Sequence, residues 1–147
     1  RPVAFILCDL LLAAAPAAAQ NAVEVATAWG LLGTWALDCG KPASRPNPYL
    51  GYFRHGRNLV HRRDFGDVRD EHTVTSARIL EDGALEIVVD LAVFGQVRTI
   101  VFRKEGEGKK RAVLNRDDAG NYSIKDGKFV ANGQPSPVQT RCSAATG

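Results

Sequence analysis

Gly33-Thr34-Trp35-Ala36-Leu37-Asp38-Cys39 is the stretch from which the rest of the chain is read. Period-two alternation sets Trp35, Leu37 and Cys39 on one face and Thr34, Ala36 and Asp38 on the other, as in a strand with one buried side. The reading therefore expects a first β-strand over Gly33–Cys39, with Cys39 pointing into the core. Cys142 lies near the other end of the chain. A bond between the two cysteines ties the first strand to the last.

Upstream of this strand the composition changes. Arg1 precedes Val3-Ala4-Phe5-Ile6-Leu7 and the run Leu10–Ala19, with small residues at Ala17 and Ala19. A positive start, an apolar run and small residues before a break read as a secretory signal peptide over 1–19. A retained membrane anchor is the alternative, weakened by Asp9 and Pro16 inside a run that is short for a span. The chain starts at Arg1 and contains no Met, so a missing N-terminus is also expected. Removing 1–19 takes away Cys8 and leaves Cys39 and Cys142. An even pair in an exported chain favours a disulfide, with two separate buried thiols as the alternative. Location is expected to be periplasmic or secreted.

The formal charge is +3, from 19 basic and 16 acidic side chains. Signs this mixed do not make the basic stripe that binding a polyanion requires, so no nucleic-acid partner is expected. Membrane contact is expected only through the signal segment.

Downstream, β-favouring runs alternate with turn signals. Residues 20–32 form a lead-in in which Val23, Ala26 and Trp29 fall at helical spacing: a short helix over one end of the domain, or a flexible arm. Three prolines in Pro42–Pro48 enforce an open loop. Strands are expected over Tyr49–His55, Asn58–Asp64, Val68–Leu80, Ala84–Ala92, Gln96–Lys104 and Lys109–Arg116. Short units at Asn121–Ile124 and Lys128–Ala131 precede a closing strand over Val138–Cys142. The clearest is Leu85-Glu86-Ile87-Val88-Val89-Asp90-Leu91, whose odd positions are all apolar. Glu81-Asp82-Gly83 and Glu105–Gly108 are hairpin signals. Short strands spaced this way, without helices to serve as crossovers, argue for an all-β fold. The expected form is a small antiparallel barrel of about eight strands over residues 33–142, with a β-sandwich as the alternative. Residues 143–147 are a tail.

Gly33-Thr34-Trp35 resembles the G-x-W opening of lipocalins and related calycin barrels. The resemblance implies a tryptophan closing one end of the barrel, packed near an arginine at the end of the last strand. It also implies a disulfide pinning the C-terminal segment. Trp35, Arg141 and Cys39 with Cys142 stand in a comparable order. The resemblance covers two short stretches; the chain lacks the T-D-Y-type segment and the long C-terminal helix. Alternation also sets Arg141 opposite Cys142, which constrains how Arg141 meets Trp35. The wider pattern of a signal, GTW-x-x-D-C, N-P-Y, D-G-K and a terminal R-C is similar to small exported alphaproteobacterial proteins of unassigned activity. That likeness implies a location rather than a chemistry.

Candidate sites are few. Trp35, Tyr49, Tyr52 and Phe53 are expected to line a barrel mouth that takes a small apolar or amphipathic ligand, although such a cluster also serves as plain core. Arg54, Arg57, Arg62 and Arg63 form the densest basic patch, suited to an anion or an envelope-protein partner. Asp64, Asp67, Asp70 and Glu71 follow and partly neutralise it. His55 and His61 flank a turn and are expected to face each other at the surface. No metal site is expected, because the cysteines lack ligand spacing and the histidines are best read as solvated. Asp38 is read as a strand-end cap on backbone amides. No catalytic residue is expected: there is no G-x-S-x-G, no placed nucleophile and no phosphate loop, so no cofactor and no enzyme activity are read.

Overall fold

The computed structural model describes residues 21–144 together with Pro2 and Val3. The expected signal segment, apart from Pro2 and Val3, and the last three residues of the tail lie outside the described residues. Among the described residues, no helix is long and apolar enough to cross a membrane.

In this part of the chain one α-helix, α1 (Ala22–Trp29), precedes ten strands. Asn21 caps its start, accepting the Glu24 amide at 2.9 Å. Gly30 ends it in the left-handed conformation, with φ of 92°. The helical spacing of Val23, Ala26 and Trp29 holds: all three are buried. The strands are β1 (Gly33–Ala36), β2 (Tyr49–His55), β3 (Asn58–Asp64), β4 (Arg69–Ile79) and β5 (Leu85–Leu91). They continue as β6 (Gln96–Gly106), β7 (Lys109–Asp117), β8 (Tyr122–Lys125), β9 (Lys128–Phe129) and β10 (Gln139–Ser143).

Every neighbouring pair is antiparallel, in the order β10-β1-β2-β3-β4-β5-β6-β7-β8-β9. A further pairing of β10 with β7, through Gln139 with Lys110 and Thr140 with Lys109, closes the sheet on itself. The result is an eight-stranded barrel, β1 to β7 plus β10, of lipocalin-like form. The β8–β9 hairpin hangs from the second half of β7. Closure leaves no free edge along the barrel wall. Of the two β architectures open to the sequence, the barrel is the one formed.

Alternation fills the interior. Leu85, Ile87, Val89 and Leu91 of β5 are all buried, as the sequence pattern requires. Ile100 and Phe102 of β6 join them, as do Tyr52 of β2 and Leu59 and His61 of β3. Helix α1 lies against β4 and β3 and shares one hydrophobic cluster with the barrel interior. Trp29 donates its indole N–H to the Gly83 carbonyl in the β4–β5 turn at 2.9 Å. One end of the barrel is therefore covered.

The opening strand is shorter than its alternation implies. β1 stops at Ala36, Leu37 is 40% exposed, and Cys39 is exposed as well. The expected inward face of Trp35, Leu37 and Cys39 therefore holds only for Trp35. The cause is Asn47, which draws the chain off the sheet. Its side-chain carbonyl accepts the Asp38 amide at 3.0 Å, and its side-chain amide donates to the Asp38 carbonyl at 2.9 Å. Asp38 itself caps, accepting the Gly40 amide at 2.9 Å. Cys39 and Cys142 are disulfide-bonded with their Cα atoms 5.3 Å apart. The bond fastens the rim of the barrel, outside its core.

Candidate functional site

A cavity of about 410 Å³ occupies the barrel on the side away from α1. Its walls include Leu50, Val89, Leu91, Ile100, Phe102 and Ile124. Polar groups enter at particular points: Tyr52, His61, Arg63, Arg98, Asn115 and Gln139. A smaller space of about 250 Å³ shares Pro48, Leu50, Ala112, Ile124 and Gln139 with it and reaches toward the β8–β9 hairpin.

The strand register explains which side chains meet there. Tyr52 lies opposite His61, and His61 lies opposite His72. The rings of Tyr52 and His61 stack, with centroids 4.6 Å apart and planes 14° from parallel. His61 Nδ1 is 3.2 Å from the Gly51 carbonyl oxygen. That oxygen can only accept, so the proton sits on Nδ1, and Nε2 has no hydrogen-bond partner among the described residues. Burial pushes the His61 pKa down to about 3, so the ring is neutral at physiological pH. Burial also raises the Tyr52 pKa above its usual value, keeping the phenol protonated.

Lys110 is the least expected member. It has no exposed surface at all. Its Nζ donates to the Gln139 side-chain oxygen. It stands 3.8 Å from the Phe102 ring centroid, 4.8 Å from that of Trp35 and 5.5 Å from that of Tyr52. No carboxylate pairs with it among the described residues. Burial pushes its pKa well below the usual lysine range.

Nearer the mouth, Arg63 and Asp70 form a two-pronged pair at 2.7 and 2.6 Å. His72 places Nε2 at 2.8 Å from the same carboxylate. The Arg63 hydrogen bond holds the Asp70 carboxyl below the usual carboxylate range. Arg98 donates to the Asn115 side-chain oxygen at 2.8 Å.

No protein family, curated protein or solved structure matches this chain.

The residues singled out in the sequence do not form one site. Trp35 and Tyr52 point into the barrel. Tyr49 and Phe53, on alternate positions of β2, face outward and line an external groove with Arg62, Asp64, Arg69 and Glu71. Gly51 makes that groove possible: a Cβ there would stand 2.2 Å from the Phe53 ring. The arginines split likewise. Arg62 lies over the outer Phe53 ring at 4.8 Å and pairs with Glu71 at 2.7 Å, whereas Arg63 faces the cavity. Arg54 and Arg57 are exposed at the β2–β3 hairpin tip.

The histidines also differ from expectation. His55 pairs with Asn58, not His61, and His61 and His72 are each only 5% exposed. The hairpin turn is so short that His61 falls opposite Tyr52, three rungs down the ladder from the His55–Asn58 pair. Among the described residues, no group of three or more His, Cys, Asp and Glu is placed to hold a metal ion.

Sequence reasoning missed Lys110 and Gln139, and it set His61 at the surface instead of in the interior. Lys109, Lys110 and Arg111 follow Gly108 as a run of three basic residues beside a hairpin turn, and such a run looks solvated. The available signal was parity: Lys110 and Ala112 alternate with Lys109 and Arg111, and one of the two lysines had to face inward.

Proposed function

We propose that this chain is an exported, lipocalin-like module that holds a small apolar or amphipathic molecule inside its barrel. The observation carrying the reading is the cavity of about 410 Å³ with an apolar wall and a few convergent polar groups. Such a space suits a ligand with an apolar body and a polar end. Export is supported by the Cys39–Cys142 bond, because disulfides persist mainly in oxidising compartments.

The test is binding of N-phenyl-1-naphthylamine, a neutral apolar fluorophore, to the purified full chain. Saturable enhancement that disappears in Ala112→Trp, which fills the cavity, supports the reading. Unsaturable enhancement, or enhancement unchanged in Ala112→Trp, counts against it.

A second reading is a partner-binding envelope protein with no small-molecule ligand. The outer groove of about 640 Å³ around Tyr49, Phe53 and Arg62 favours it. Pull-down partners lost on Arg62→Glu, with fluorophore binding intact, would select this reading.

A further inference from the structure

Two arginines line the cavity, Arg63 and Arg98, and no aspartate or glutamate does. Arg63 is already engaged. Its Nε and Nη2 donate to the Asp70 carboxylate, and its guanidinium lies 5.3 and 5.4 Å from the ring centroids of Phe65 and Phe94. Arg98, half-buried on β6, makes one hydrogen bond, from Nη1 to the Asn115 side-chain oxygen at 2.8 Å. Among the described residues it forms no salt bridge. Asp117 lies opposite it in the β6–β7 register, but that carboxylate accepts the Ala119 and Asn121 amides of the next turn at 3.0 and 2.8 Å.

Nε and Nη2 of Arg98 therefore have no partner among the described residues. They are not sealed inside the protein either: the buried side-chain nitrogens without a partner there are Arg111 Nε and Arg141 Nε. A guanidinium can only donate, so the Asn115 oxygen is the atom that meets it. The Asn115 NH2 group is then left as a further donor on the cavity wall.

The place of Arg98 gives the cavity a direction. Along β6 the cavity-lining residues run Arg98, Ile100, Phe102 from the mouth toward the covered end. That stretch rises about 13 Å, at ~3.3 Å per residue. Leu50, Val89, Ile100 and Ile124 supply apolar wall. A volume of about 410 Å³ holds about a dozen non-hydrogen atoms if each takes roughly the 30 Å³ of a water molecule.

We propose that the occupant is a carboxylate with an unbranched apolar chain, of the size of decanoate, its head on Arg98 and Asn115 at the mouth and its chain along Ile100 toward Phe102. The inference rests on the cavity reading and adds the charge, the direction and the size of the ligand.

A planar guanidinium offers a carboxylate two parallel N–H donors, and hydrogen bonds between ionised groups are the strong ones. An alcohol of the same length leaves the cation unmatched. An amine meets a positive mouth with no acid on the lining to receive it. The reverse orientation strips the head of water at the covered end. There Lys110 is enclosed by three rings and Gln139, out of its reach.

The experiment displaces N-phenyl-1-naphthylamine from the full chain at pH 7 with decanoate, decan-1-ol and acetate. Decanoate is expected to act at a concentration at least tenfold below decan-1-ol, and acetate not to act at all. Arg98→Met and Arg98→Gln, each checked for folding by its melting curve, should bring the ratio of decan-1-ol to decanoate close to one. Equal displacement by the two in the wild type overturns the proposal and leaves the cavity reading standing. A decanoate preference that persists in both variants also overturns it, because the head then sits elsewhere. Unsaturable fluorophore enhancement in the wild type removes the cavity reading itself, and this inference with it.

Discussion

Trp35 and Arg141 lie directly opposite each other on β1 and β10, with the guanidinium carbon 4.8 Å from the indole centroid. Both also reach back to the end of α1. The indole N–H donates to the Leu31 carbonyl, and Arg141 Nη2 donates to the Gly30 carbonyl. Two adjacent carbonyls beyond the helix are thereby held by a pair that spans the strand seam. The Trp–Arg packing implied by the lipocalin resemblance is present. Arg141 meets Trp35 as its cross-strand partner, which is how it can do so on the face opposite Cys142.

Trp35→Ala is therefore expected to lose about 3–5 kcal/mol, since a large, fully buried side chain leaves a cavity. Arg141→Met should cost less, about 1–3 kcal/mol, because it chiefly frees the Gly30 carbonyl. The double variant should lose less than the sum, as the residues share one contact. Urea melts of the three proteins check this; strict additivity would show that the pair is not one unit.

The Cys39–Cys142 bond closes a loop of 103 residues. Chain entropy gives such a cross-link about 4–5 kcal/mol. Cys39→Ser with Cys142→Ser should lower stability by that order while preserving the barrel, because both cysteines lie at the rim and β10 stays paired to β1 and β7. Denaturant melts with and without reductant measure the loss. A variant as stable as the oxidised protein would mean that the unfolded chain is compact enough to make the tether irrelevant.

Acid should destabilise the fold through His61. Its folded pKa is near 3 and its unfolded value near 6.5. Between those values the unfolded chain binds a proton that the folded chain refuses, so stability falls as pH drops through that window. The slope approaches 1.4 kcal/mol per pH unit for the one proton. Above pH 6.5 the group contributes no pH dependence. Asp70, held down chiefly by Arg63, adds a further loss only below the usual carboxylate range. His61→Phe should flatten the curve between pH 6.5 and 4 and leave the steeper acid limb. An unchanged slope in that variant would place the titrating group elsewhere.

Most of this architecture was legible in the chain. β2 and β3 begin and end where their alternation and the Gly56-Arg57 turn require, and β5 buries the four residues its pattern marks. Turn chemistry and a period of two are local, so the sequence carries them. What was not legible depends on contacts between distant residues. Asn47 capturing Asp38 shortened β1 and turned Cys39 outward. The choice of which side of each strand faces the lumen separated Tyr49 and Phe53 from Tyr52. The closing pair Gln139 with Lys110 buried a lysine whose two immediate neighbours, Lys109 and Arg111, are both charged. A site assembled by barrel closure has no local signature, since its members come from β2, β3, β7 and β10.

Lys110→Met should raise stability. The substitution keeps a long unbranched chain among Trp35, Tyr52 and Phe102 and removes an amine with no carboxylate partner. Replacing buried charged groups by apolar ones of similar volume is neutral or stabilising by about 1–4 kcal/mol. The pH dependence points the same way. The unfolded lysine holds its proton up to about 10.5, while burial lowers the folded value well below that. The unfolded state therefore binds more protons through that window, and wild-type stability should climb as pH rises toward 10.5. Lys110→Met should lack that climb and melt higher at pH 7. A variant that melts well below wild type at pH 7 would instead mean that the ammonium, held by the three rings and Gln139, is part of what keeps the barrel closed.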